Sequence, residues 1–233
     1  MKALIFAAGL GERMRPLTDH TPKPLLLVGG KPLIVWHLEK LAALGVHEVV
    51  VNTSWLAGQF PAALGDGARY GVRIEYAHEG DTPLETGGGM LNALPLLGGA
   101  PFLLLNGDVW SDYDLGLLPR EPTGLAHLVM VEPPAQAPTG DFALDATGQL
   151  HREGASKLTY AGIGVYRPQL LDHWRDHAGA VAGVCANGKA RFPLAPILRA
   201  HMDRGEVSGE HHHGRWTDVG TPQRLAELDA ELR

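Results

Sequence analysis

The chain has one cysteine, Cys185, which excludes an intrachain disulfide and a zinc site built from several thiolates. That thiol is expected to be a buried packing residue. No apolar run is long enough to cross a bilayer. The stretch Lys2-Ala3-Leu4-Ile5-Phe6-Ala7-Ala8 is too short before Gly9 to serve as a secretory leader. Lysine–arginine runs are missing and the net charge is -6, which argues against a general nucleic-acid binder. An anionic substrate must therefore meet a local cationic site or a metal. Repeats, low-complexity tracts and interdomain linkers are also lacking. The default expectation is a soluble, cytoplasmic α/β protein with no membrane partner, since 233 residues suffice for one sizeable core.

What is present is concentrated near the N-terminus. A strand expected over Lys2–Ala7 runs into Ala8-Gly9-Leu10-Gly11-Glu12-Arg13-Met14-Arg15-Pro16-Leu17-Thr18. Glycines let backbone N–H groups approach an anion closely. Arg13, Arg15 and Lys23 bring cations to the same neighbourhood. Pro22 and Pro24 are expected to hold Lys23 in an extended, stiff segment. A strand end, a glycine turn and clustered cations suggest a polyphosphate site at the edge of a parallel sheet. A turn that merely carries surface cations is the plainer alternative. Two other glycine loops fit poorly. The dinucleotide fingerprint needs a third glycine where Met14 stands, and the second strand ends in Asn52, not in an acid. The P-loop needs Gly-Lys-Ser/Thr, and Gly30-Lys31 is followed by Pro32.

Strands and helices alternate through the first half. Helices are expected over Pro32–Leu44, with Gly45 ending it, over Trp55–Leu64 despite Pro61, and over Gly89–Leu97 despite Pro95. Strands are expected over Val46–Val51, Val72–Tyr76 and Pro101–Asn106, whose Phe102-Leu103-Leu104-Leu105 run suits burial on both faces. This order implies a mostly parallel sheet with right-handed crossovers. The second half is less regular: strands over Leu125–Val131 and Leu158–Tyr166, a hairpin around Ala146-Thr147-Gly148, and helices over Phe192–Met202 and Pro222–Leu232.

Gly9-x-Gly11-x-Arg13-x-x-Pro16-x-Thr18 with Pro22-Lys23-Pro24 resembles the signature of the sugar-1-phosphate nucleotidylyltransferases. The similarity covers nearly the whole chain. It implies a Rossmann-like three-layer sandwich with an inserted sugar-binding lobe. One domain over 1–233 is expected, its nucleotide-binding half at about 1–115 and its sugar-binding and C-terminal half at about 116–233. Many members carry a C-terminal left-handed β-helix, and this chain is expected to have none. The implied reaction joins a nucleoside triphosphate to a sugar 1-phosphate and releases pyrophosphate, with Mg2+ as cofactor.

By resemblance, Arg13 and Lys23 are the catalytic cations, and Ala8, Gly9 and Gly11 hold the nucleotide. Asp108 and Asp218 match the family's metal-binding aspartates. Taken alone, Asp108 reads equally as a turn residue, and Asp218 as a loop residue before a helix capped by Thr221. In Leu84-Glu85-Thr86-Gly87-Gly88-Gly89, the backbone at Gly87 and Gly88 is expected to read a nucleobase edge, the alternative being a helix-start loop capped by Thr86. Glu85 accepts from guanine N–H groups or faces the sugar. Tyr160-Ala161-Gly162-Ile163-Gly164-Val165-Tyr166 resembles the strand lining the sugar pocket. Asn106, Gly140, Asp141, Glu153, Tyr160 and Gly162 are the sugar-binding candidates. Many relatives follow that glutamate with lysine; here Gly154 follows, and Lys157 either replaces the lysine or is a surface residue.

Within the family, the Leu84–Gly89 loop, Asn106-Gly107-Asp108-Val109-Trp110 and the short C-terminus most resemble the members that use UTP and N-acetylmuramate 1-phosphate, a choice that rests on this resemblance alone. GTP with mannose 1-phosphate, or UTP or dTTP with glucose 1-phosphate, are the alternatives. A lactyl-bearing sugar carries an extra carboxylate, for which Lys157 and Arg191 are the available cations. A nucleotide-sugar sensor is the non-enzyme alternative, opposed by intact Arg13, Lys23, Asp108 and Asp218. His211-His212-His213 reads as a solvated turn or strand end, because adjacent histidines point to alternating faces. No feature of the sequence sets an oligomeric state.

Overall fold

The computed structural model describes residues 1–233. The first half runs β1 (Lys2–Phe6), β2 (Leu27–Val28), β3 (Lys31–Pro32), α1 (Leu33–Ala43), β4 (Glu48–Thr53), α2 (Gln59–Leu64), β5 (Arg73–His78), α3 (Glu85–Leu97), β6 (Phe102–Asn106) and β7 (Val109–Ser111). The second half runs β8 (Ala126–Val131), β9 (Ala143–Leu144), β10 (Leu150–His151), β11 (Thr159–Tyr166), α4 (Trp174–Ala178), β12 (Gly183–Val184), β13 (Ala190–Arg191), α5 (Ala195–Met202), β14 (Val207–His211), β15 (Trp216–Asp218) and α6 (Pro222–Glu231).

Seven strands form one sheet in the order β14-β8-β11-β6-β1-β4-β5. All run parallel except β11, which lies antiparallel between β8 and β6. Alternate residues of the central strands leave to opposite faces, as the pleat requires. Ala3 and Ile5 of β1 join Val49 and Val51 against α1 and α2. Leu4 joins Val50, Leu104 and Leu128 against α3, α4 and α5. The result is three layers, α/β/α, the expected fold class. A third, smaller cluster packs Met14 and Val28 against Leu33, Trp110, Val219 and Leu228, tying the N-terminal loop to α6.

The parallel register aligns the strand ends. Phe6 stands beside Asn52 on one side and Asn106 on the other, and Asn52 beside Ala77. Four strands therefore end on one edge, where open α/β sheets bind ligands.

Several expectations need adjustment. Helix α3 begins at Glu85, not at Gly89, so all three glycines lie inside it. The helix tolerates them because a neighbouring segment fills the space side chains would occupy. A Cβ on Gly87 would strike the Phe192 ring, and one on Gly88 the Ala190 carbonyl. Helix α5 starts at Ala195 instead of Phe192, since Phe192 bridges to the start of α3: its N–H donates to Leu84 O at 3.1 Å. Helix α2 is shorter than expected, with Pro61 in its first turn, where a missing N–H costs no intrahelical bond. Pro32 precedes α1 and pairs in the β2–β3 ribbon instead. The hairpin around Ala146-Thr147-Gly148 forms as β9–β10, its turn closed by Asp145, whose Oδ1 accepts from Thr147 N and Gln149 N. Strands β12, β13, β14 and β15 add to the elements expected from the sequence.

Candidate active site

The glycine loop owes its shape to two residues. Gly11 sits at φ +66°, a conformation L side chains rarely adopt, and a Cβ there would meet Thr18 Cγ2 at 2.7 Å. Thr18 is buried and its Oγ1 donates to Gly11 O at 2.8 Å. Met14, in the place where a dinucleotide fold would carry its third glycine, is a fully buried anchor. The short helical turn Glu12–Met14 thus leaves Arg13 exposed beside the loop.

Lys23 departs from its expected extended setting: it opens a 3-10 turn, Lys23–Leu25, that Pro24 stabilises. Its ammonium donates to Asp108 Oδ2 at 2.6 Å, and its side chain is only 12% exposed. Asp108 is presented by the turn between β6 and β7. Gly107 makes this turn possible, because a Cβ there would lie 2.6 Å from Phe6 O, to which Gly107 N donates.

Asp218 arrives from the far end of the chain. Strand β15 pairs antiparallel with β7, placing Asp218 opposite Val109, and Val219 N donates to Asp108 O at 2.8 Å. The two aspartates are thus neighbours across a β-ladder. Asp218 pairs with Arg224 in the first turn of α6. Magnesium takes one or two carboxylates and completes its shell with phosphate and water oxygens. Each carboxylate faces a side-chain cation, Asp108 with Lys23 and Asp218 with Arg224, and a magnesium ion held there would take over those pairings.

A cavity of about 220 Å³ is lined by Ala7, Ala8, Gly9, Gly11, Lys23, Asn52, Glu79, Pro83, Glu85, Thr86, Asn106 and Asp108. A second, of about 550 Å³, shares Gly9, Gly11, Lys23, Pro83 and Glu85 with it and adds Arg13, Arg191 and Gly220. The glycine loop and Lys23 form the wall common to both. The structure thereby brings together Ala8, Gly9, Gly11, Arg13, Lys23, Glu85, Asn106 and Asp108.

Gly87 and Gly88 are not on these walls. Both N–H groups donate to Phe192 O at 3.0 Å. Their lack of a side chain serves close packing. Glu85, at φ +62°, forms an ion pair with Arg191 at 2.9 Å, and Arg191 Nε also donates to Pro83 O.

The sugar-binding candidates of the second half also stand off these walls. Gly162 abuts Asn106: a Cβ would lie 2.5 Å from its Nδ2. Asp141 Oδ2 accepts from Tyr160 N at 2.9 Å. Gly140, at φ +62°, packs against the Lys157 backbone. Glu153 is 84% exposed and pairs with Lys157 at 2.8 Å. The Tyr166 hydroxyl donates to the Tyr160 hydroxyl at 2.8 Å, and burial pushes both phenols up. The three consecutive histidines have separate surroundings: His211 faces Glu132 at 3.3 Å, His212 meets Asp112 at 2.8 Å, and His213 packs on His211.

Two buried groups escaped sequence reasoning. Glu79 is fully buried at the base of the first cavity, and burial pushes its carboxyl up. His37 of α1 is buried and held down to about 4, chiefly by burial. Asn52, the side-chain partner of Glu79, lies 27 positions away, and Asn106 and Val109, whose backbone meets His37, lie about seventy away.

The nucleotidyl transferase family profile matches residues 2–139. Over 99% of its length the chain is 49% identical to the N-acetylmuramate alpha-1-phosphate uridylyltransferase of Neisseria meningitidis serogroup B, covering 97% of that protein. The protein of the same name from Caulobacter vibrioides is 33% identical over 99% of this chain and 96% of its own length. A mannose-1-phosphate guanylyltransferase of Mycobacterium tuberculosis is 40% identical, and the chain spans 64% of it. A crystal structure from Bacillus anthracis, described as a glucose-1-phosphate thymidylyltransferase, has the same fold: TM-score 0.84 at 22% identity, over 100% of this chain and 95% of that one.

Proposed function

The chain belongs to the nucleotidyl transferase family and is an enzyme of sugar-1-phosphate nucleotidyl transfer, and from that premise we propose that it joins UTP to N-acetylmuramate 1-phosphate, giving UDP-N-acetylmuramate and pyrophosphate. One observation carries the placement of the chemistry: Lys23, on the wall that both cavities share with the glycine loop, meets Asp108 of the first cavity at 2.6 Å.

In this reading the triphosphate lies along the glycine loop. An oxygen of the sugar phosphate attacks the α-phosphorus, the bond from that phosphorus to the β-bridging oxygen breaks, and pyrophosphate leaves. The nucleophile is already anionic at neutral pH, so no general base is required. The rate then comes from positioning and charge stabilisation. Lys23 neutralises the α-phosphate as charge develops there. Arg13 and the backbone amides near Gly11 hold the β- and γ-phosphates. Magnesium held by Asp108 and Asp218 would supply further neutralisation at the phosphates. Asn106, Asp141, Glu153 and Tyr160 are assigned to the sugar side.

The lactyl carboxylate of N-acetylmuramate calls for a cation near the 3-position of the ring. Lys157 and Arg191 are the candidates, and each already faces a carboxylate, Glu153 and Glu85 respectively. The substrate carboxylate would take over one of these pairings. The deciding experiment is a matrix of UTP, GTP and dTTP against the 1-phosphates of N-acetylmuramate, N-acetylglucosamine, glucose and mannose, scored by pyrophosphate release. UTP with N-acetylmuramate 1-phosphate is expected to give the highest kcat/KM. The highest value for GTP with mannose 1-phosphate would overturn the substrate assignment and leave the reaction class standing.

A further inference from the structure

Asn52 and Glu79 are buried polar side chains on the floor of the nucleotide cavity, and the reaction as described uses neither. Their contacts form a short relay. Ala7 N donates to Asn52 Oδ1 at 2.6 Å, Asn52 Nδ2 donates to Glu79 Oε1 at 2.6 Å, and Leu84 N donates to Glu79 Oε2 at 2.6 Å. Ala7 enters the glycine loop and Leu84 immediately precedes α3. The relay therefore ties the two segments that face each other across the cavity. It runs through the ends of β1, β4 and β5, which the parallel register holds side by side. Gly89 belongs to the same arrangement: a Cβ there would lie 2.6 Å from Glu79 Oε1 and 2.8 Å from Asn52 Nδ2, so the third glycine of α3 makes room for the pair.

We propose that Asn52 and Glu79 are a positioning pair that sets the width of the nucleotide slot by holding the glycine loop and the start of α3 at a fixed separation. This rests on the reading of that cavity as the triphosphate site. The pair touches no reacting atom.

The donor and acceptor count makes the proposal sharp. Two backbone N–H groups, at Ala7 and Leu84, need acceptors at the ends of the relay. One amide and one carboxylate satisfy both ends and the middle. Two amides cannot, because a donor then faces a donor somewhere along the chain, whichever way each amide turns. Two carboxylates cannot either, because the middle contact then lacks a proton. Exchanging the two groups can. A carboxylate at position 52 would accept from Ala7 N and from a side-chain amide at position 79, and the oxygen of that amide would accept from Leu84 N.

The test compares wild type, Glu79→Gln, Asn52→Asp and the double exchange N52D/E79Q, by calorimetric titration with UTP and magnesium and by kcat and KM. Each single variant should weaken UTP binding by about tenfold or more, the scale of stranding a buried donor, with kcat within roughly threefold of wild type. The double exchange should recover binding to within about threefold, the non-additivity expected of two residues in one hydrogen-bond network. A double variant no better than the worse single one would overturn the pair and mean that the carboxylate at position 79 acts for itself. Single variants that bind UTP like wild type would also overturn it. Hydrogen exchange on wild type covers the case in which a variant fails to fold: the Leu84 amide should be strongly protected, and loop-like exchange there would sink the relay. Binding that follows the expected pattern without pyrophosphate release would refute the reaction while leaving the pair intact.

Discussion

Residues 1–115 gather their candidate groups around the aligned ends of parallel strands, whereas residues 116–233 carry theirs on loops, a bulged strand and a short antiparallel ladder. In the first half, Phe6, Asn52 and Asn106 stand abreast because parallel pairing aligns them. Lys23 and Asp108 meet over this frame, and the cavity is lined by first-half residues. In the second half, β11 shifts register between Tyr160 and Gly164, Glu153 lies on the surface, and Asp141 is steadied by the Tyr160 N–H. Asp218 is the exception, drawn in beside Asp108 by β15. One half presents aligned strand ends and the cavity wall, and the other presents mostly surface and loop groups.

The largest expected effect tests whether the frame holds the chemistry. Lys23→Ala should lower kcat by roughly two to three orders of magnitude, the scale of removing one preorganised electrostatic donor. The thermal midpoint should move little. Wild-type turnover in the folded variant would remove Lys23 from the mechanism.

The next compares one carboxylate from each half. Asp108→Asn and Asp218→Asn should each lower activity by at least about 10–100-fold, the loss seen when a group that merely supports a metal ligand is removed, and raise the magnesium requirement. The double variant should fall far short of the product of the two effects, because both groups are assigned to one ion. Unchanged magnesium titrations in both single variants would refute the metal role of the pair.

A smaller effect is expected where the halves touch. In Gly88→Ala the new Cβ meets the Ala190 carbonyl, a backbone atom that cannot move aside alone. Overpacking of this kind costs about 1–3 kcal/mol and outweighs the gain in helix propensity of under about 1 kcal/mol. Urea unfolding should show the loss. A more stable variant would mean that the 183–191 hairpin yields easily.

The smallest expected effect is confined to the frame. His37 is held neutral by burial, with its value lowered from 6.5 to about 4. Its contribution to stability is present above 6.5 and is lost as pH falls toward 4, because the unfolded chain takes up the proton first. Between about pH 7 and about pH 5 the folded state should lose about 1–2 kcal/mol through this group. Urea midpoints at the two pH values should show a smaller difference in His37→Leu than in wild type. An identical difference in both would assign the acid sensitivity elsewhere.

The frame is legible in the sequence because its signals are local. Gly11 and the Phe102–Leu105 run each act within a few residues, whereas Pro22 and Pro24, read as holding Lys23 extended, flank and enter a 3-10 turn. The start of α3 is hidden for the opposite reason. Three glycines argue against a helix, and what overrides them lies about a hundred residues away, at Ala190 and Phe192. The short strands β12 to β15 have little periodicity to detect. The role of Glu79 has no local sign either, since one partner, Asn52, lies 27 positions away and the pattern of the loop after β5 gives no hint of it.

The docking of Phe192 on the glycine turn of α3 also sets a timetable for the newborn chain. Gly87 and Gly88 leave the ribosome about a hundred residues before the carbonyl that receives their N–H groups. At about 5–20 residues per second, that interval is on the order of 5–20 s. During it, a glycine-rich first turn has neither its hydrogen-bond partner nor its packing surface. The strands of the first half are complete early, yet the first turn of α3, whose Glu85 stands on the cavity wall, gains its packing surface only when residues 190–192 arrive. A polypeptide cut between the halves would therefore lack the carbonyl and the ring that hold the first turn of α3.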